Sequence, residues 1–184
     1  MLSEIAWQVK EIRKAFAQGN VIELRIQSNK AINNAAFESD KLLAQVSLLA
    51  YALHKMSIKT HITQNPRWPK IKNAILHSLD NAIGALEQKD IKEFELELEE
   101  MKKRLIETDQ ELGNYAANIY EKARIKMASS AYGIGLSLSQ AAALTGAEKK
   151  QLLNYIGITK MHDEVKEAKG IAARAKELKK VLWQ

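Results

Sequence analysis

The sequence predicts an all-α protein: a helical bundle with a long heptad-patterned helix that leads into a helix-turn-helix. Three observations predict this fold class. Apolar residues recur at spacings of three and four along most of the 184 residues, as amphipathic helices require. The two prolines of the chain, Pro66 and Pro69, lie close together, so long helices can form on either side of them. A strict heptad pattern and a capped glycine turn follow in the second half.

The first part of the chain predicts two helices separated by a short break. An amphipathic stripe covers residues 2–17, and Gly19 interrupts it. Residues 21–56 keep helical spacing and are predicted to form one long helix. Its apolar face broadens around Leu42 to Leu53, which indicates a largely buried helix.

The next segment predicts a loop and a third helix. Residues 57–68 are mostly polar, include several β-branched residues and contain Pro66, so we expect a loop there. Pro69 is then expected in the first turn of the following helix, where its missing N–H costs nothing. That helix ends near residue 88, and Asp90 is expected to cap the next one, with Glu93 completing a capping box.

A heptad seam of about four repeats follows. Its members are Ile91, Phe94, Leu98, Met101, Leu105, Thr108, Leu112, Tyr115 and Ile119. The helix that carries them is expected to continue to about residue 131. The seam could pack against other helices of the same chain or form a dimeric coiled coil. The intramolecular alternative is favoured, because the chain supplies other amphipathic helices.

Charge is distributed unevenly along the chain. The net charge of +6 arises from +3 over residues 1–66, −3 over residues 67–114 and +6 over residues 115–184. The basic C-terminal third would favour contacts with nucleic-acid phosphates. A solvated lysine-rich tail explains the same excess equally well.

Several classes of function are disfavoured by what the chain lacks. It has no cysteine, and its four histidines show no metal-ligand spacing, so neither a metal nor another cofactor is expected. The sequence shows no recognisable set of a nucleophile, a base and a group that would orient the base. We therefore expect a protein that is not an enzyme. An apolar run of membrane-spanning length and a secretory signal are both missing, so a cytoplasmic protein without a membrane partner is expected.

The most informative stretch spans residues 136–157. Ser137 is a good N-cap, and Gln140 three residues later completes a capping box. Ala142 allows a second helix to cross closely, and Gly146 can adopt the left-handed conformation that ends the first helix. We expect Thr145 to cap the second helix, with Glu148 at its third position. Leu152, with Leu153 or Tyr155, is expected to point toward the core.

This stretch resembles the helix-turn-helix of small prokaryotic DNA-binding proteins. Its Ser-x-x-x-Ala-Ala-x-Leu-x-Gly core is similar to that of archaeal predicted transcriptional regulators and of an antitoxin-like family of small proteins. The resemblance covers about 22 residues and implies a DNA-binding, transcription-regulating role. Ala147 and Glu148 depart from the valine and serine usual after the turn glycine, and no arginine, the commonest base reader, is present in the second helix.

The sequence therefore predicts a helical bundle and long helix over residues 1–132, and a helix-turn-helix region with a basic helix over residues 133–184. Double-stranded DNA is the expected partner, bound by a homodimer. The residues expected to face DNA are Lys149, Lys150, Gln151 and Asn154, with Lys160, Lys166 and Arg174 as further phosphate contacts. The alternatives are a helical protein–protein interaction or oligomerisation module that binds no nucleic acid and, less favoured, a helical RNA-processing enzyme.

Overall fold

The computed structural model describes residues 2–113 and 119–163, with side chains through residue 110 and from 119 to 158, and the regular elements in these ranges are helices. The predicted all-α bundle is therefore confirmed. The helices are α1 (Leu2–Gln18), α2 (Val21–Glu38), α3 (Lys41–Ser57), α4 (Thr60–Thr63), α5 (Trp68–Glu87), α6 (Ile91–Gly113), α7 (Ile119–Gly133), α8 (Leu138–Thr145) and α9 (Lys149–Asp163).

The expected single helix over residues 21–56 is wrong, because the chain breaks between α2 and α3. Ser39 adopts a left-handed conformation with φ 55°, and its N–H donates to the Ala35 carbonyl. The Asp40 carboxylate then accepts the N–H groups of Leu42 and Leu43 at 2.8 and 3.1 Å. Serine and aspartate offer the backbone local hydrogen bonds that compete with a continuing helix.

The expected loop over residues 57–68 is shorter than predicted, because it contains α4 and ends where α5 begins. Ile62 of α4 is fully buried, so the apolar core holds this single turn in place. Trp68 starts α5 and packs edge-on against Phe16, with ring centroids 6.1 Å apart. Pro69 lies in the first turn of α5, as predicted.

The described half of the heptad seam packs inside the chain. α5 and α6 form a helical hairpin, and the N–H of Glu93 donates to the predicted cap, Asp90, at 3.0 Å. The seam residues Phe94, Leu98, Met101 and Leu105 are all buried. The intramolecular alternative is therefore confirmed for this half of the seam, which leaves those residues unavailable to a second chain.

The expected continuous helix to residue 131 is wrong. α6 ends at Gly113 and α7 begins at Ile119, and the Ile119 N–H donates to the Asp109 carboxylate at 2.8 Å. In an unbroken helix residues ten apart are separated by about 15 Å along the axis. The buried residues of α7 pack mainly against α3, α8 and α2, whereas α6 packs mainly against α5.

α3 forms the centre of the bundle. It contacts α1, α2, α4, α6, α7 and α8, and it is buried on almost every side. Ala141, Leu152 and Ile156, which lie beyond residue 132, belong to the same core cluster as the apolar residues of α1 to α7. α8 and α9 are therefore fixed to the bundle by a common apolar core. None of the helices described is long and apolar enough to cross a membrane.

Candidate nucleic-acid interface

α8 begins with the capping box that its sequence predicts. The Ser137 hydroxyl accepts the Gln140 N–H at 3.2 Å, and the Ser137 N–H donates to the Gln140 side chain at 2.9 Å. These two bonds satisfy backbone N–H groups that a helix start leaves without partners. Ala141 and Ala142 are both buried, which is consistent with close packing of α8 on its neighbours.

Gly146 ends α8 and turns the chain toward α9. Its φ of 72° is left-handed, and its N–H donates to the Ala142 carbonyl at 2.8 Å. This conformation is inexpensive for glycine alone among the common residues. A methyl group at this position would meet only the Arg124 guanidinium, whose Nε would lie 3.7 Å away. The backbone conformation, rather than lack of space, therefore requires glycine here.

The prediction that Thr145 caps α9 is wrong. Thr145 is the last residue of α8 and is buried, and its hydroxyl donates to the Ala141 carbonyl at 2.9 Å. Glu148 occupies the position before α9 instead of the third helical position, and its carbonyl accepts the Leu152 N–H at 2.9 Å. The turn between α8 and α9 therefore contains three residues, 146–148.

α9 separates an apolar inner face from a polar outer face. Leu152 and Ile156 are buried where α9 packs against α7 and α8. Tyr155 is half-buried and Leu153 is 58% exposed, so Tyr155, not Leu153, accompanies Leu152 toward the core. The exposed polar residues are Lys149, Lys150, Gln151 and Asn154.

The Glu148 side chain contacts the first exposed turn of α9 and places a negative charge there. Its carboxylate accepts a hydrogen bond from the Gln151 amide at 2.7 Å. The amide that could read an adenine edge is thus already engaged by an acidic side chain. Any approach of a phosphate to this turn must also overcome the negative charge of Glu148.

The structure describes the side chains of four of the seven residues expected to face DNA, and it places these four together on the first two turns of α9. Lys160 lies further along the same helix. Lys166 and Arg174 lie outside the described residues.

A basic side chain from outside the sequence motif, that of Arg124 in α7, lies beside the turn at Gly146. Its Nη1 donates to Glu121 at 2.7 Å, and its guanidinium lies 5.5 Å from the centre of the Tyr120 ring. Its Nε is buried without a hydrogen-bond partner among the described residues. Burial raises the pKa of the Tyr120 hydroxyl to about 12, so that side chain stays neutral beneath the guanidinium.

Two further cations lie on the side of the bundle near Tyr155. Burial, followed by the neighbouring Tyr155, raises the pKa of Tyr51, whereas Arg25 opposes this shift. The Lys55 ammonium lies 5.5 Å from the centre of the Tyr51 ring. Arg25 of α2 and Lys55 of α3 therefore both lie near Tyr51, which in turn neighbours Tyr155 of α9. Sequence separation hides this proximity, because these residues lie about a hundred positions before α9.

Among the described residues, no group of three or more histidine, aspartate or glutamate side chains is placed to hold a metal ion. No protein family, curated protein or solved structure matches this chain.

Proposed function

We propose that this protein binds double-stranded DNA through the exposed face of α9 and acts as a transcriptional regulator. One observation carries the proposal. After a left-handed glycine turn, α9 buries Leu152 and Ile156 and leaves Lys149, Lys150 and two amide side chains exposed. A helix held by its inner face with polar residues outward suits insertion into a major groove.

The chemistry of the exposed residues supports duplex DNA as the ligand. Lysine ammonium groups bind phosphates without regard to sequence, and glutamine or asparagine can pair in a bidentate manner with adenine. Lys149 and Lys150 would hold the backbone, while Asn154 would be the principal base reader, since Glu148 engages Gln151. The basic excess of residues 115–184 adds sequence-independent attraction.

The finer parts of the proposal concern assembly and location. A homodimer would present two copies of α9 to paired half-sites, separated by about 34 Å, one turn of the duplex. The buried part of the α6 seam does not serve this assembly, so another surface has to form the dimer. A cytoplasmic location would give a prokaryotic regulator direct access to DNA.

Fluorescence anisotropy with a labelled random-sequence duplex at low salt tests the proposal. Lys149→Glu/Lys150→Glu should abolish most binding, and the slope of log affinity against log salt should fall by about two for two lost phosphate contacts. The matched control is Lys92→Glu/Lys103→Glu, which changes net charge equally at two exposed lysines of α6. Equal loss in both double variants would show attraction by net charge alone and would contradict an α9 interface.

A second candidate function is a helical interaction or oligomerisation module. It is favoured by an exposed row on α2 that contains Ile22, Ile26 and Phe37, which are 70%, 50% and 81% exposed. Asn29 and Asn33 lie between them on the same helix face. Exposed apolar residues aligned in this way are typical of contact surfaces rather than of scattered solvated side chains.

A further inference from the structure

A cleft separates the start of α5 from the second half of α6. Its volume is about 640 Å³, within the usual range for small-molecule sites. Its apolar lining comes from α5, and its polar lining comes from both helices. The lining residues are Arg67, Lys70, Ile71, Ala74, Ile75, Arg104, Glu107 and Thr108.

Positive charge predominates in this cleft. Arg67, Lys70 and Arg104 face it together with one carboxylate, that of Glu107. Some exposed cations of this protein pair with carboxylates, as in Lys10–Glu87 at 2.7 Å and Arg13–Asp80 at 2.8 Å. Within the described residues, Lys70 and Arg104 form neither an ion pair nor a hydrogen bond through their side chains. Three cations that face one carboxylate leave an excess of positive charge that an anion would neutralise.

The helix that supplies most of the lining adds to this potential. α5 is 20 residues long, and no side-chain hydrogen bond caps its N-terminus. The N-terminal end of a helix carries a partial positive charge, so it reinforces the three cations. The apolar floor is a separate feature, since Ile71 and Ala74 are half-buried and Ile75 is fully buried.

We propose that this cleft binds a small phosphorylated molecule with an apolar or aromatic body. The phosphate contacts Lys70, Arg104 and Arg67, and guanidinium groups offer it paired N–H donors. The body of the ligand covers Ile71 and Ala74, which lie over the buried Ile75. Glu107 accepts a hydrogen bond from an amino or hydroxyl group of the ligand and disfavours a fully anionic occupant. The lining of this cleft includes no residue of α9, so the inference is independent of DNA binding by α9.

Isothermal titration calorimetry of the full chain with AMP, adenosine and inorganic phosphate tests this assignment. AMP should bind saturably, and both fragments should bind at least about tenfold more weakly, since each lacks half of the recognised chemistry. Lys70→Ala and Arg104→Ala should each weaken AMP binding about tenfold, because each removes a charge-assisted hydrogen bond. The matched control Lys103→Ala removes the neighbouring exposed cation of α6 and should leave AMP binding unchanged.

Three results would overturn the assignment. The first is an absence of AMP binding at millimolar concentration by the wild-type chain. The second is that inorganic phosphate binds as tightly as AMP does, which would leave the apolar floor without a role. The third is an equal loss of affinity in Lys103→Ala and Arg104→Ala. Circular dichroism melting of each variant establishes that the three exposed substitutions leave the fold intact.

Discussion

The Asp109 carboxylate accepts the backbone N–H of Ile119 at 2.8 Å with Oδ2, and the Lys59 ammonium at 2.9 Å with Oδ1. The Asp109 side chain is 2% exposed and that of Lys59 is 22% exposed. One buried side chain of α6 therefore binds both the first residue of α7 and the segment after α3. A negative charge at the start of a helix also interacts favourably with its dipole.

Asp109→Ala should destabilise the protein strongly for a single substitution. It leaves the buried Ile119 N–H without its acceptor and removes the 2.9 Å contact of the Lys59 ammonium, which costs about 2–4 kcal/mol. For a chain of this size that loss lowers Tm by roughly 5–15 °C, measurable by calorimetry or circular dichroism.

Asp80→Ala is the matched control for Asp109→Ala. Asp80 pairs with Arg13 at 2.8 Å, but its side chain is 50% exposed. An exposed pair contributes about 0–1 kcal/mol, so this variant should melt within a few degrees of the wild type. Similar melting of the two variants would contradict the role assigned to Asp109.

Two glycines near the turn should respond to alanine in opposite ways. Gly146→Ala forces a side chain into the left-handed conformation, with φ 72°, and should cost about 1–2 kcal/mol. Gly157→Ala adds a methyl group in open space within α9 and should stabilise the protein by about 0.5–1 kcal/mol. Chemical denaturation of both variants measures the difference. A neutral Gly146→Ala would show that the turn does not depend on this backbone conformation.

The sequence predicted the helical class and the α8 capping chemistry, because both depend on local pattern. Apolar spacing identifies helices, and Ser137, Gln140 and Gly146 act within a few residues of one another. The break at Ser39 was also local in origin, with Asp40 as a strong N-cap, but the apolar periodicity on both sides concealed it. Apolar residues can keep the same three-and-four spacing on both sides of a turn, so this spacing alone does not show that a helix is continuous.

The interruption after α6 and the cations near α9 could not be predicted in the same way. Asp109 fits the polar side of a heptad helix equally well, and its partners are Lys59 and Ile119, 50 and 10 residues away. Arg25 of α2 lies near Tyr51 of α3 only because the two helices pack together. Contacts between distant residues depend on packing, which periodicity does not encode.

The free energy of unfolding should fall on mild acidification because of His54. Burial lowers its pKa, and the nearby cations Lys55 and Arg25 act in the same direction, against its hydrogen bond to the Val21 carbonyl. The folded protein therefore binds fewer protons than the unfolded chain below pH of about 6.5, the ordinary value for histidine. The contribution of the neutral side chain is complete above that pH and is lost as pH falls toward the lowered pKa.

Thermal melting of wild type and His54→Asn between pH 8.5 and 5 tests this effect. Asparagine can still donate to the Val21 carbonyl but does not titrate, so the variant should lose less stability on acidification. The slopes of the free energy of unfolding against pH can differ between the two proteins by at most about 1.4 kcal/mol per pH unit, the limit for one proton. Above pH 7.5 the two proteins should change in parallel. Identical profiles throughout would contradict a role for His54 titration.

Glu148→Gln should strengthen DNA binding if α9 enters the groove. The substitution removes a negative charge and weakens the 2.7 Å contact that engages Gln151. A like charge about 4 Å away costs about 1 kcal/mol in water, so affinity at low salt should rise roughly fivefold. The gain should shrink as salt increases. Glu93→Gln, which changes the same charge on α6, should alter affinity little, and an equal gain there would place DNA elsewhere.

The exposed row on α2 should support weak self-association. Ile22 and Phe37 lie at its two ends, about 22 Å apart along the helix, with Asn29 and Asn33 near its centre. An antiparallel pair of α2 helices related by a two-fold axis would place Ile22 of one copy against Phe37 of the other. The two copies of Asn29 would then meet near the two-fold axis and hydrogen-bond to each other, and Asn33 would lie opposite Ile26.

Analytical ultracentrifugation over a range of concentrations measures this association. A single helix pair buries less area than a stable interface usually does, so a dimer that dissociates on dilution is expected. Phe37→Glu should give a monomer at all concentrations, because it places two carboxylates in the contact. Leu96→Glu is the matched control, since Leu96 is a 61% exposed apolar residue of α6, outside the row. A monomeric wild type, or a dimer lost only in Leu96→Glu, would mean that α2 does not bind a second copy.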